Sequence, residues 1–168
     1  MLLTIQVRYG EPQIPDESTD VLQLARDGKL IVKILQGDKA LSAAPTGKDD
    51  NVKQLLSPLA AKEVPFVRCV GLNYTTHILE TGRPLPTCPT IFCKPSTVTA
   101  GPAENVPIPR IAQAQCDYEG ELTIVIGKDA KNVSEESALG YVAAYTTGNE
   151  VSARNWQREA NKAGPVPQ

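Results

Sequence analysis

The chain has 168 residues, of which 41% are hydrophobic, 5% aromatic and 21% charged, with a formal net charge of −2. That near-neutral balance, with no basic stripe, excludes nucleic acid and anionic lipid as main partners. It also gives none of the compositional signs of disorder. No apolar run reaches the roughly 18 residues of a membrane span, and the N-terminus lacks the basic segment of a signal peptide. The four cysteines, Cys69, Cys88, Cys93 and Cys116, form no C-x-x-C pair, and there is one histidine. This argues against a Cys/His zinc site and for reduced thiols in a cytoplasmic protein.

In chain order, Leu2 to Arg8 alternates enough for a short strand, and Gly10 to Thr19 has loop composition. Asp20 to Arg26 predicts a short helix, capped by Ser18 or Thr19 and ended by Gly28. Lys29 to Gln36 is rich in β-branched residues and predicts a strand closed by Gly37. Ala43 to Asn51 reads as polar loop, and Asn51 to Leu59 as a helical turn ended by Pro58. Phe66 to Gly71 predicts a strand, Thr75 to Glu80 a short helix, and Thr90 to Cys93 a strand after a Pro-rich passage. Pro102 to Pro109 is extended. Asp117 to Ile126 is the strongest strand signal. Ser134 to Leu139 opens with a capping residue and predicts a short helix. Tyr141 to Thr147 predicts a strand, and Ser152 to Ala160 a helix with Ser152 as its cap. Short strands mixed with short helices argue for an α+β fold in which strands dominate. The change of character near residue 64 divides the chain into a small N-terminal module, 1–64, and a larger module, 65–168. The last residues, Ala163 to Gln168, have loop chemistry and no closing element.

Four places could carry chemistry. Side chains in a strand alternate, so Glu119, Glu121, Thr123 and Val125 share one face. Gly120, Leu122, Ile124 and Ile126 share the other, which is apolar and is expected to face a core. Two strand residues apart is roughly 6.5–7 Å, a spacing at which two carboxylates can grip one hard cation. Oxygen ligands favour Mg²⁺, Mn²⁺ or Ca²⁺ over zinc. A solvated polar face explains the bare pair as simply. His77 and Glu80 would share a face of a helix, where the carboxylate could fix the tautomer of the imidazole; a surface histidine is the plain alternative. Gly148 to Arg154 lies at a strand-to-helix junction, where Glu150 and Ser152 could line a site or merely serve a helix N-terminus. Lys94 could face an anionic substrate or only solvent. No G-x-S-x-G, P-loop or dinucleotide fingerprint is present, so nucleophilic serine and phosphate-cradling readings have no support.

The order of these blocks resembles one family. Val70-Gly71-Leu72-Asn73-Tyr74-Thr75-Thr76-His77-Ile78-Leu79-Glu80 resembles the GxNYxxHxxE segment of the fumarylacetoacetate hydrolase family. Ile91 to Ser96 is similar to its FxKP segment, Asp117 to Lys128 to its DYEGELxxVIGK strand, and Gly148 to Arg154 to its NDVSAR turn. The resemblance covers about residues 65–168, and residues 10–64 more loosely. It implies a mixed β roll with short helices. It also implies Mg²⁺ or Mn²⁺, with Ca²⁺ as a further option, held by Glu119, Glu121 and Glu150. Glu150 departs from the pattern, since Asp is usual there, and Mg²⁺ tolerates little geometric error. His77 and Glu80 match the water-activating dyad. Lys94, Arg154 and Gln157 match positions near substrate.

The chemistry so implied is metal-dependent hydrolysis or decarboxylation. It acts on acylpyruvates or related β-dicarbonyl acids, of the fumarylacetoacetate or oxaloacetate type, through a metal-stabilised enolate. The resemblance also implies homodimers. Family members continue well past this point, into a GKxxD-like segment and the strands that close the roll. The expectation is therefore a chain cut short at its C-terminus. The alternative is a non-catalytic remnant acting as an interaction or structural protein.

Overall fold

The computed structural model describes residues 6–159, with side chains through Gln157. Its architecture is strand-rich with short helices and open sheets, as expected for the α+β class. The backbone falls into two compact units, Met1–Asn105 and Val106–Gln168. The first unit contains a three-stranded sheet on one side of residue 64 and a two-stranded sheet on the other.

In the first unit, β1 (Tyr9–Pro12), β2 (Ile31–Gln36) and β3 (Ala44–Asn51) form an antiparallel sheet in the order β1-β2-β3. Two of these strands differ from expectation. The Leu2 to Arg8 strand falls partly outside the described residues, and the strand that forms is β1, three of whose four residues lie in the expected loop. The polar Ala43 to Asn51 segment is β3. Its ladder bonds come from pairing with the β-branched β2, and Lys48, Asp49 and Asp50 are all exposed, so neither face there needs apolar residues. Lys33 pairs with Asp49 while Leu35 pairs with Pro45, so β3 carries extra residues here. Gly47, at φ 75°, takes up the bend.

Between β1 and β2 runs α1 (Val21–Arg26). Its cap is Asp20, not Ser18 or Thr19: the Asp20 carboxylate accepts from the Gln23 N–H at 2.9 Å. The helix ends before Gly28, whose φ of 69° suits the reversal into β2. The helical turn expected over Asn51 to Leu59 does not form; after Asn51 the chain is irregular up to a 3₁₀ turn at Ala61–Glu63. Glu63 ties this turn back to the sheet. Its carboxylate accepts from the N–H groups of Ala40 (2.6 Å) and Ala60 (2.9 Å) and from the Tyr9 hydroxyl (3.0 Å). Burial alone would raise the carboxyl's pKa; the three donors outweigh it and hold it below the usual range.

The second sheet pairs β4 (Phe66–Gly71) with β5 (Thr90–Pro95), antiparallel, from Phe66↔Pro95 to Gly71↔Thr90. Between them lies α2 (Thr75–Glu80), anchored by Ile78, which is buried, and followed by Gly82 at φ 70°.

In the second unit, β6 (Cys116–Ile126) runs antiparallel to β7 (Val142–Ala153) in a ladder from Cys116↔Ala153 to Ile126↔Val142. The link holds α3 (Glu135–Ala138) and a 3₁₀ turn, Leu139–Tyr141. α4 (Arg154–Glu159) follows β7 directly. Trp156 Nε1 donates to the Ile111 carbonyl at 3.4 Å, which ties α4 to the 3₁₀ turn Arg110–Gln115.

One expectation about this hairpin is overturned. Leu122, Ile124 and Ile126 do not face a core: they are 61%, 47% and 58% exposed. Alternation sorts side chains onto two faces, but covering a face takes a second layer, and β6 and β7 are a two-stranded sheet with open edges. Among the described residues the buried hydrophobic side chains are Leu30, Ile34 and Ile78, all in the first unit.

Candidate functional site

The register of β6 and β7 builds the site. Directly opposed residues of an antiparallel pair project to the same face. Glu119 is opposite Glu150, Glu121 is opposite Gly148, and Asp117 is opposite Ser152. Glu119, Glu121 and Glu150 therefore stand on one face of the hairpin, together with Asp117 and Ser152. Here the expected junction is corrected: β7 runs on through Gly148 to Ala153, so Glu150 is a strand residue and not part of a helix N-terminus. Ser152 lies within β7, and its hydroxyl donates to Glu119 Oε1 at 2.8 Å. Helix α4 begins only at Arg154.

Arg154 closes the lower end of this face. Its Nε donates to Asp117 Oδ2 at 2.9 Å and its NH1 to Gln157 Oε1 at 3.0 Å, while its NH2 lies 3.1 Å from Glu119 Oε1. The side chain is 17% exposed. Burial disfavours its charge, but the two carboxylates outweigh burial and hold the guanidinium above its usual pKa. Motif reasoning does not single out Asp117 as a site residue, and it offers Ser152 either as a site residue or as a cap. The signal that finds them is the pairing register, which a single strand read alone does not contain.

An all-carboxylate donor set matches the chemistry of a hard divalent cation. Gly148 keeps the place across from Glu121 free of a side chain; a Cβ there would stand 2.7 Å from Thr123 Oγ1. Glu119, Glu121 and Glu150 fit a cation by face and by donor type, yet among the described residues no three acidic, His or Cys side chains are gathered as a cage.

The other expected residues lie in the first unit. His77 and Glu80 are three residues apart on α2, with Nδ1 and Oε2 3.9 Å apart, a contact too long for a hydrogen bond. Both are well exposed, at 54% and 70%. Acid–base pairs without substrate are commonly this loose. Lys94 stands on β5 opposite Val67 and is half-buried. A cavity of about 300 Å³ opens beside α2, lined by Gly71, Asn73, Thr75, Ile78 and Cys88 among others; His77, Glu80 and Lys94 do not line it. None of the four cysteines is in a disulfide in the described residues. No helix among the described residues is long and apolar enough to cross a membrane.

Residues 66–168 match the profile of the fumarylacetoacetate (FAA) hydrolase C-terminal domain. A caffeoylpyruvate hydrolase of Neonothopanus nambi is 43% identical over 162 residues, a match that takes in 92% of this chain and 55% of that protein. The mitochondrial oxaloacetate tautomerase fahd2 of Xenopus laevis is 39% identical over 164 residues, covering 94% of this chain and 47% of that one. Among solved structures, a 2-hydroxyhepta-2,4-diene-1,7-dioate isomerase from Mycobacterium marinum superposes with a TM-score of 0.64 at 30% identity, over 96% of this chain and 59% of that one. The chain thus spans about half the length of the curated relatives it matches. With the motif order, the strand-rich fold and the profile in agreement, the chain belongs to the fumarylacetoacetate hydrolase family.

Proposed function

We propose that this chain carries part of the machinery of a divalent-metal-dependent enzyme acting on acylpyruvates or related β-dicarbonyl acids. The observation that carries this reading is the strand register, which sets Glu119, Glu121 and Glu150 on one face of the β6–β7 hairpin. These three residues would hold Mg²⁺ or Mn²⁺, with Glu150 reaching one methylene further than an aspartate would. When bound, the cation supplies Lewis-acid stabilisation of negative charge developing on the substrate oxygens.

The remaining roles fall to side chains. Glu80 orients His77, and His77 removes a proton, from water in hydrolysis or from the substrate carbon in tautomerisation. In hydrolysis the hydroxyl adds to the acyl carbon, the C–C bond breaks, and the electron pair leaves with the pyruvyl carbon, which then takes up a proton. Lys94 offers an ammonium to a substrate carboxylate. Relatives named as a hydrolase, a tautomerase and an isomerase support an enzyme in this chemical range.

The test follows the enol absorbance of an acylpyruvate, and separately that of oxaloacetate, with Mn²⁺ present. Loss of absorbance with release of pyruvate marks C–C cleavage, and enol–keto exchange without release marks tautomerisation. His77→Ala is expected to slow turnover by about 10²–10⁴-fold. The second reading, a non-catalytic interaction protein, draws on the uncovered face of Leu122, Ile124 and Ile126. It predicts no turnover of either compound with any cation.

A further inference from the structure

Glu119, a proposed cation ligand, is held by Arg154. Its Oε1 meets Arg154 NH2 at 3.1 Å and accepts from Ser152 Oγ at 2.8 Å. The same guanidinium has two further acceptors, Asp117 Oδ2 at 2.9 Å and Gln157 Oε1 at 3.0 Å. Arg154 can thus give up Glu119 without losing every partner. Asp117 lies two residues before Glu119 on the same face, so the guanidinium need travel very little.

We infer that Arg154 is a resident countercharge for the carboxylate face. It competes with the divalent cation for Glu119 and is parked on Asp117 and Gln157 when the cation binds. The inference rests on the metal reading above. Its physical basis is twofold. The cluster of Asp117, Glu119, Glu121 and Glu150 on one face repels itself, and one fixed positive charge relieves that repulsion. A cation at Glu119 would then lie a few ångströms from the guanidinium, so each positive charge weakens the binding of the other. Arg154 therefore keeps the face folded while setting a threshold for cation loading. It is a positioning residue for Glu119 and is assigned no contact with substrate.

The experiment titrates Mn²⁺ into the full chain by calorimetry and measures thermal midpoints with chelator and with Mn²⁺. Arg154→Met is expected to tighten Mn²⁺ binding about fivefold, the factor that one modest ion pair represents. It is also expected to lower the midpoint in chelator, with the deficit recovered by Mn²⁺. A purely structural role would lower both midpoints alike. Asp117→Asn removes the parking partner; it is expected to weaken Mn²⁺ binding in the wild-type background and to do so less when Arg154→Met is also present. This variant also decides the matter if Arg154→Met fails to fold. Wild-type binding with an equal or weaker affinity in Arg154→Met overturns the competition and leaves the metal reading standing. No Mn²⁺ binding by the wild type, Arg154→Met or Asp117→Asn overturns the metal reading and this inference with it.

Discussion

The β1–β2–β3 sheet and the β6–β7 hairpin are both antiparallel, yet they distribute their side chains in opposite ways. In the first, Leu30, just before β2, is fully buried, and Ile34 is buried within β2. In the hairpin the longer strands carry more ladder bonds, but their apolar face is the exposed one and their carboxylate face the half-buried one. Glu119 is less exposed than Leu122. Hydrogen-bonded pairing and burial are thus separable: a ladder can extend over the whole of Cys116–Ile126 without a layer beneath it. A two-stranded sheet gains little stability by itself and depends on what packs against it.

Substitutions separate the covered sheet from the open hairpin. The largest effect is expected in the covered sheet, where Leu30→Ala or Ile34→Ala should cost about 2–5 kcal/mol in urea denaturation. Leu122→Ala or Ile124→Ala on the open face should cost less than about 1 kcal/mol in the same assay. Equal costs would mean that the hairpin face is covered in solution. Next comes Glu63, whose three donors join β1 to two turns. Glu63→Ala should cost about 1–3 kcal/mol, since it orphans donors that met a charge. Because its folded pKa is lowered, its contribution is present above the unfolded carboxyl value and is lost as pH falls through the folded one. Glu63→Gln should therefore flatten the acid limb of the stability–pH curve. The smallest effect is optical: Ile124→Lys should reduce the fluorescence of a bound hydrophobic dye without moving the urea midpoint by more than about 0.5 kcal/mol.

Much of this was legible in single elements. α2 and β6 formed where helical spacing and alternation placed them, and the motif order led to the family. What single-strand reading missed was pairwise. β3 looks like loop because Gly47, Lys48, Asp49 and Asp50 carry no strand propensity, and only β2 makes them a strand. Ser152 looks like a cap because its hydroxyl precedes a helix, but cross-strand pairing gives that hydroxyl to Glu119 instead. Glu150 is named through the family resemblance, but its place opposite Glu119 depends on the offset of β7, which no local pattern encodes. The direction of the apolar face of β6 failed for a different reason, since alternation defines two faces without saying which one is covered.

We propose that the carboxylate face of the β6–β7 hairpin takes up a divalent cation. It is tested most directly by Mn²⁺ calorimetry on the wild-type chain and on Glu121→Gln, a change that keeps shape and removes one charge. A saturable single-site isotherm is expected for the wild type, and an affinity at least about tenfold weaker for Glu121→Gln, or about 1.4 kcal/mol. A flat wild-type isotherm, or identical isotherms for the two proteins, would contradict it.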